Sequence, residues 1–184
     1  MQIKDIIKKR RSVFPAQYNN RPISKDDIMD LLAAANCAPT HRKTEPWRFK
    51  IFHGDSQEDL GRFLAEKYKE TTDKFKEFKY NKLRENPKKA AAVLAICMQR
   101  DPEESLPEWE EIAATAMAVQ NMWLLATAKG IGSYWSSPGL IKYMGEFIKL
   151  NEGERCLGYF YLGYYDEFSP ERIPGAIEDK ISWI

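Results

Sequence analysis

The stretch from Glu108 to Lys129 constrains the fold most. It reads as one long helix, rich in Ala and Met, that Gly130 stops. Its side chains are apolar almost all round, so it has no proper solvent face. Such a helix must lie at the centre of a fold or in a contact between subunits. A second stretch makes the same demand. Ala91 to Met98 (AAVLAICM) is short and continuously apolar, as a strand buried on both faces would be. A chain of 184 residues, 43% of them hydrophobic, has enough apolar surface to build one packed domain around these two segments.

The flanking segments sort into helices and strands. Ile3, Ile6 and Ile7 share a face of a short helix that ends in basic residues. Phe14 to Pro22 is irregular. Ser24 opens a capped helix with Ile28, Leu31, Leu32 and Ala35 as its stripe, closed by Ala38-Pro39. Trp47 to His53 alternates as a half-buried strand. A long charged helical region follows, from Ser56 to about Asn86, with a thin apolar stripe that predicts a partly exposed element, a candidate lid. Asp101 to Pro107 is an acidic linker. Ser133 to Trp135 reads as a short strand, Leu140 to Leu150 as an amphipathic helix and Cys156 to Tyr164 as a second core strand. The amphipathic tail from Ile173 to Ile184 is suited to covering a partner subunit. Helices and strands are mixed without strict alternation, which predicts a single α+β domain over 1–184 and not a doubly wound parallel fold.

Composition excludes several classes. The formal net charge is +1, so general attraction to nucleic acid or an anionic membrane is not expected. Basic residues cluster at Lys8 to Arg11 and between Lys67 and Lys89, but the second cluster is interleaved with acids and reads as a solvated helix face. Cys37, Cys97 and Cys156 are odd in number and far apart, which argues against a disulfide framework or a cysteine metal site. With no span-length apolar run and no signal-peptide core at the N-terminus, the expected location is the cytoplasm.

No phosphate-binding GxxxxGK[ST] or nucleophile GxSxG motif occurs, and Gly130-Ile131-Gly132 follows a helix, the wrong setting for a dinucleotide loop. His41 and His53 are the only histidines, so no metal site is expected. Three segments remain. Arg10-Arg11-Ser12 offers two guanidinium forks and a hydroxyl, suited to a phosphate or else to a helix C-terminus. Ala38 to Trp47 is an irregular, donor-rich connection that either presents Pro39, Thr40, His41 and Lys43 to a polar ring or is an ordinary loop. Trp135-Ser136-Ser137-Pro138-Gly139 either brings an aromatic ring and donors to a ligand or caps the next helix.

The order and spacing of these three segments resemble the nitroreductase family. The family's Arg-Arg-Ser is matched by Arg10 to Ser12. Its Ala-Pro-Ser-x-x-Asn-x-Gln-Pro-Trp-x-Phe pattern is matched by Ala38 to Phe49. The Gly-Ile-Gly strand start and the late Leu-Gly-Tyr strand follow, so the likeness runs from about Lys4 to Tyr164, nearest to the short bacterial branch. The resemblance implies a mainly antiparallel sheet flanked by helices, a homodimer, and an FMN site at the dimer interface. Arg10, Arg11 and Ser12 would hold the phosphate and ribityl chain. Pro39, Thr40 and His41 would come from the other subunit, with Lys43 donating to the flavin edge. Trp135, Ser136 and Ser137 would lie beside the ring, and Arg172 would be an extra phosphate ligand. The implied activity is ping-pong hydride transfer from NADH or NADPH, through flavin N5, to a small electron-poor acceptor such as a nitroaromatic or quinone. The chain departs from the family in Lys43 for Asn and Glu45 for Gln, two residues able to pair with each other. Two other readings stay open: an FMN carrier or sensor with little turnover, and a helical protein that binds polyanions through residues 67–89.

Overall fold

The computed structural model describes residues 2–166 and 173–184. Strands β1 (Trp47–Phe52), β2 (Ala92–Gln99), β3 (Ile131–Ser136) and β4 (Glu154–Tyr164) form one antiparallel sheet in the order β1-β2-β4-β3. The apolar run of β2 lies at its centre, paired on both sides. Successive residues of a strand point to opposite faces, so β2 feeds two cores at once. Ala92, Leu94 and Ile96 enter one, and Val93, Ala95 and Cys97 the other. All six are fully buried. Truncating a residue such as Leu94 or Ile96 to alanine would cost about 2–5 kcal/mol.

Helices α2 (Lys25–Asn36) and α5 (Glu108–Ala128) pack together on the first face. The Ser24 hydroxyl caps α2 by accepting from the Asp27 amide at 3.0 Å. Lys129, just past α5, reaches back to Asp27 (2.8 Å) and Asp30 (2.5 Å). At the other end of α5, fully buried Glu111 accepts from the Arg100 guanidinium and from the Asp101 amide at 2.8 Å. The acidic linker after β2 is thereby pinned to the helix. The core face of α5 consists of Ala114, Ala118, Val119, Met122 and Ala126, while Trp109 and Met117 on the rest of the helix are exposed within the chain.

The long charged region consists of two helices, α3 (Asp55–Thr71) and α4 (Glu77–Lys89). The apolar stripe of α3 buries Leu60, Leu64 and Tyr68 against the second face of the sheet. This helix is therefore a structural layer, and α4 lies on it. Gly61 allows their close approach, because a Cβ there would stand 2.2 Å from the Arg84 carbonyl oxygen. The expected helix at 140–150 is also divided, into a 3-10 stretch Gly139–Tyr143 and one turn of α6 (Met144–Phe147). Helix α1 (Ile3–Lys9) buries no side chain fully. Along the tail, Ile173, Ile177, Ile181 and Trp183 are exposed.

The buried Gln57 amide ties α3 to the end of α4, donating to the carbonyls of Pro87 (2.7 Å) and Ala90 (2.8 Å). Gln57→Leu removes both bonds at nearly constant volume and orphans the Ala90 carbonyl, while the Pro87 carbonyl keeps the Ala90 amide at 3.3 Å. Urea unfolding is expected to show a loss of roughly 1–3 kcal/mol, the cost of one orphaned buried group.

Candidate active site

The residues after α1 do not form a free loop. Ser12 pairs in parallel with Ser133 of β3, and the Val13 amide donates to the Ser133 carbonyl at 3.0 Å. Gly132 makes this possible, because a Cβ there would meet Val13 Cβ at 2.9 Å and the Tyr165 ring at 2.8 Å. The docking carries Arg10, Arg11 and Ser12 to the strand that ends in Trp135 and Ser136. Arg10 lies over the Trp123 ring of α5, 4.7 Å from its centroid. Arg11 donates to the carbonyls of Lys8 (2.6 Å) and Arg10 (3.0 Å), closing the C-terminus of α1. Trp123 in turn donates to the Arg11 carbonyl at 2.9 Å.

Trp135 is seated on Gly158 of β4. A Cβ at Gly158 would stand 2.1 Å from the indole nitrogen, which donates to the Leu157 carbonyl at 3.4 Å. Ser136 borders a cavity of about 520 Å³ on the opposite side of β3. Phe14, Tyr134, Tyr161, Leu83 and Pro138 give it apolar walls, and the Phe14 and Tyr134 rings meet at 4.6 Å. Burial pushes the Tyr161 hydroxyl up, so this wall stays neutral. Lys79, Lys82 and Asn86 of α4, with Lys76 just before it, supply donors, and no carboxylate among the described residues lines the cavity. An apolar slot with a few convergent donors suits a flat, electron-rich ring. Sequence reasoning did not single out Phe14, Tyr134, Lys82 or Asn86. Only the docking of residues 12–16 on β3 and the packing of α4 on α3 bring them together.

The middle segment, Ala38 to Trp47, lies elsewhere in the fold. His41 Nδ1 meets the Glu110 carboxylate at 2.5 Å, near the start of α5. Arg10 packs on Trp123 in the second half of that helix. At 1.5 Å per residue, Glu110 and Trp123 are roughly 20 Å apart along the axis. The loop is held in an unusual shape. Arg42 (φ 51°), Lys43 (φ 57°) and Glu45 (φ 42°) all have left-handed backbone, a conformation that costs side-chain-bearing residues of order 1–3 kcal/mol each. The Thr40 hydroxyl braces it, accepting from the Glu45 amide (3.3 Å) and sharing a hydrogen bond with Thr44 (3.1 Å). The side chains of Lys43 and Glu45 make no ion pair among the described residues, so the pairing open to them in sequence is not formed. Pro39, His41 and Lys43 are exposed. Within one chain, then, the first and last segments converge and the middle one does not. Arg172 lies outside the described residues. No cluster of His, Cys, Asp and Glu able to hold a metal occurs among the described residues.

Comparison with known proteins decides the lineage. The model of the Nitroreductase family matches residues 7–164. The chain belongs to the nitroreductase family. It is 31% identical to "Putative NAD(P)H nitroreductase YfhC" of Bacillus subtilis over 183 residues, 98% of this chain and 93% of that protein. Among solved structures it is similar to a nitroreductase-like family protein from Bacillus cereus, with TM-score 0.85 and 29% identity, covering 100% of this chain and 96% of the other. The fold also matches a nitroreductase with bound FMN from Bacteroides fragilis, with TM-score 0.71 and 23% identity, covering 100% and 99% of the two chains. The antiparallel sheet flanked by helices is thus the nitroreductase fold that the sequence resemblance implied.

Gly132→Ala is expected to force residues 12–13 away from β3 and cost about 1–3 kcal/mol in chemical denaturation, the usual cost of overpacking. Ser12→Ala keeps the backbone docking and should change stability by less than about 0.5 kcal/mol.

Proposed function

We propose that this chain is an FMN-dependent NAD(P)H oxidoreductase, working as a homodimer on a small electron-poor acceptor of the nitroaromatic or quinone kind. The observation that carries the reading is the docking of Ser12, next to Arg10 and Arg11, on β3, the strand whose Tyr134 and Ser136 line a slot with apolar walls and several donors. The residues fit FMN in kind: cationic forks for a phosphate, aromatic walls and hydroxyls for a ring, and no carboxylate among the described residues that line the slot. The relatives' names, an NAD(P)H nitroreductase in Bacillus subtilis and an FMN-bound nitroreductase in Bacteroides fragilis, point to the same cofactor and reductant.

Bound FMN supplies the capacity to accept and release a hydride. The chain's own residues bind and orient. Arg10, Arg11 and Ser12 hold the phosphate end, with Arg172 as a further cation. Tyr134 and Ser136 receive the ring, Trp135 fixes the position of the strand end on Gly158, and Ser137 adds a donor. Lys82 and Asn86 line the slot from α4, where the Lys82 ammonium and the Asn86 amide would stabilise negative charge on a bound ring. The roof of the slot is therefore α4, while α3 beneath it belongs to the core. Pro39, Thr40, His41 and Lys43 serve a second copy. Their loop stands at the far end of α5 from Arg10, and a two-fold axis across the exposed face of α5 carries it to the other slot. Trp109 and Met117 on that helix, and the apolar residues of the tail, are the surfaces such a contact would cover.

The purified protein should be yellow and should bleach on anaerobic addition of NADH or NADPH. Colourless protein that also fails to take up FMN would overturn the reading. A bleaching protein that passes no electrons to quinones or nitroaromatics would be an FMN carrier instead. Arg10→Ala with Arg11→Ala is expected to weaken FMN binding about 10–100-fold, as loss of charge-assisted hydrogen bonds does. Subunit mixing tests the shared site. Arg10→Ala and His41→Ala chains each bind FMN poorly alone, but a mixed dimer contains one intact site. Unfolding and refolding them together should restore roughly a quarter of wild-type flavin, since half of randomly paired dimers are mixed. No recovery would mean that both residues serve the same subunit's slot.

A further inference from the structure

Cys97 and Cys156, distant in sequence, become partners across β2 and β4. They stand where the ladder shifts. Ile96 is opposite Gly158 and Cys97 opposite Cys156, so Leu157 is the extra residue of a bulge. Hydrogen bonding along β2 alternates between its neighbours. Gln99 donates to Pro46 on the β1 side (2.8 Å), and Arg100 to Gly153 on the β4 side (2.9 Å). By that alternation Cys97 also turns its peptide groups toward β1. Cys97 and Cys156 are then a non-hydrogen-bonded antiparallel pair, the closer kind, with Cα atoms about 4.5 Å apart. Disulfides span Cα separations of about 4.4–6.8 Å. Both thiols enter the same core, walled by Tyr159 and Met144. Cys97 is 0% and Cys156 7% exposed.

We propose that Cys97 and Cys156 form a thiol modification site, a cross-strand dithiol that a hydroperoxide converts to an intramolecular disulfide. The two sulfurs are unequal. Hydrogen bonding to Cys156 and burial push the Cys97 thiol up, while the hydrogen bond from Cys97 draws Cys156 down. Cys156 is also the more exposed, which makes it the attacking thiol. Its thiolate takes the outer oxygen of the peroxide, becoming a sulfenic acid as the O–O bond breaks and an alcohol or water leaves. Cys97 then attacks that sulfur and expels water. Two thiols lose two electrons and two protons, and the peroxide gains them. The bulge residue between Cys156 and Gly158 is Leu157, whose carbonyl holds Trp135, so the modification adjoins the seat of a candidate site residue.

The test uses the full chain with the exposed Cys37 replaced by serine, reduced and then treated with stoichiometric hydrogen peroxide. Non-reducing peptide mapping should find the Cys97 and Cys156 peptides joined, about 2 Da below their summed mass, and dithiothreitol should separate them. Cys97→Ser should stop at a Cys156 sulfenic acid that dimedone traps. Cys156→Ser should leave Cys97 unreacted over the same time. Two thiols that stay reduced in the folded chain, or that join only after denaturation, would overturn the proposal. So would a Cys97 that reacts equally well without Cys156. The mapping of the unsubstituted pair stands even if a serine variant misfolds.

Discussion

The docking of residues 12–13 on β3 is the contact on which the candidate site depends. One backbone hydrogen bond and one missing Cβ, at Gly132, bring the end of α1 to the strand that carries Trp135 and Ser136. Without that approach the arginines would only cap a helix, and the cavity would lose the Phe14 wall. The same backbone path puts the Phe14 ring on Tyr134 and leads on to Tyr18, whose hydroxyl donates to the carbonyls of Val13 (2.7 Å) and Tyr161 (3.2 Å). The site therefore rests on the sheet through several small, mutually dependent contacts, and no single strong interaction holds it.

The sheet divides the labour. One face packs α2 and α5, and the other packs α3 and the turn around α6. The cavity opens on the second face, at the edge strand, while the partly uncovered side of α5 belongs to the first. The partly uncovered side of α5 and the layer that carries the slot therefore stand on opposite faces of the sheet. The His41 loop, with its three left-handed residues, is braced by its neighbours. Thr40 and Glu110 hold the loop from either side, and strain of that order persists only where its surroundings determine it.

Much of this protein was legible in the order of its residues. The two apolar segments announced a central strand and a helix to be covered by the core or by a partner, because apolar side chains on every side need cover on every side. Ser24, Gly130 and the alternation of Trp47 to Phe52 marked boundaries through local backbone chemistry. The three donor-rich segments were also visible, since their residue types are unusual where they stand. What they do together was not. Composition could not tell whether Arg10 and Arg11 capped a helix or faced a ligand, and in the folded chain Arg11 closes the helix end that borders the site.

Other features were decided by tertiary packing alone. The region from Ser56 to Asn86 looked like a partly exposed helical region, a candidate lid, because its apolar stripe is thin. Folding divides it, buries α3 through small residues such as Gly61 and Ala65, and leaves α4 to wall the cavity. The cavity's aromatic and lysine lining comes from segments with no shared motif, so no local signal could assemble it. The pairing of Cys97 with Cys156 depends on strand register, shifted by one bulge, which sequence distance hides. Local propensity is written in a few neighbouring residues, but register, layer order and the meeting of distant segments come from burying all the apolar faces at once.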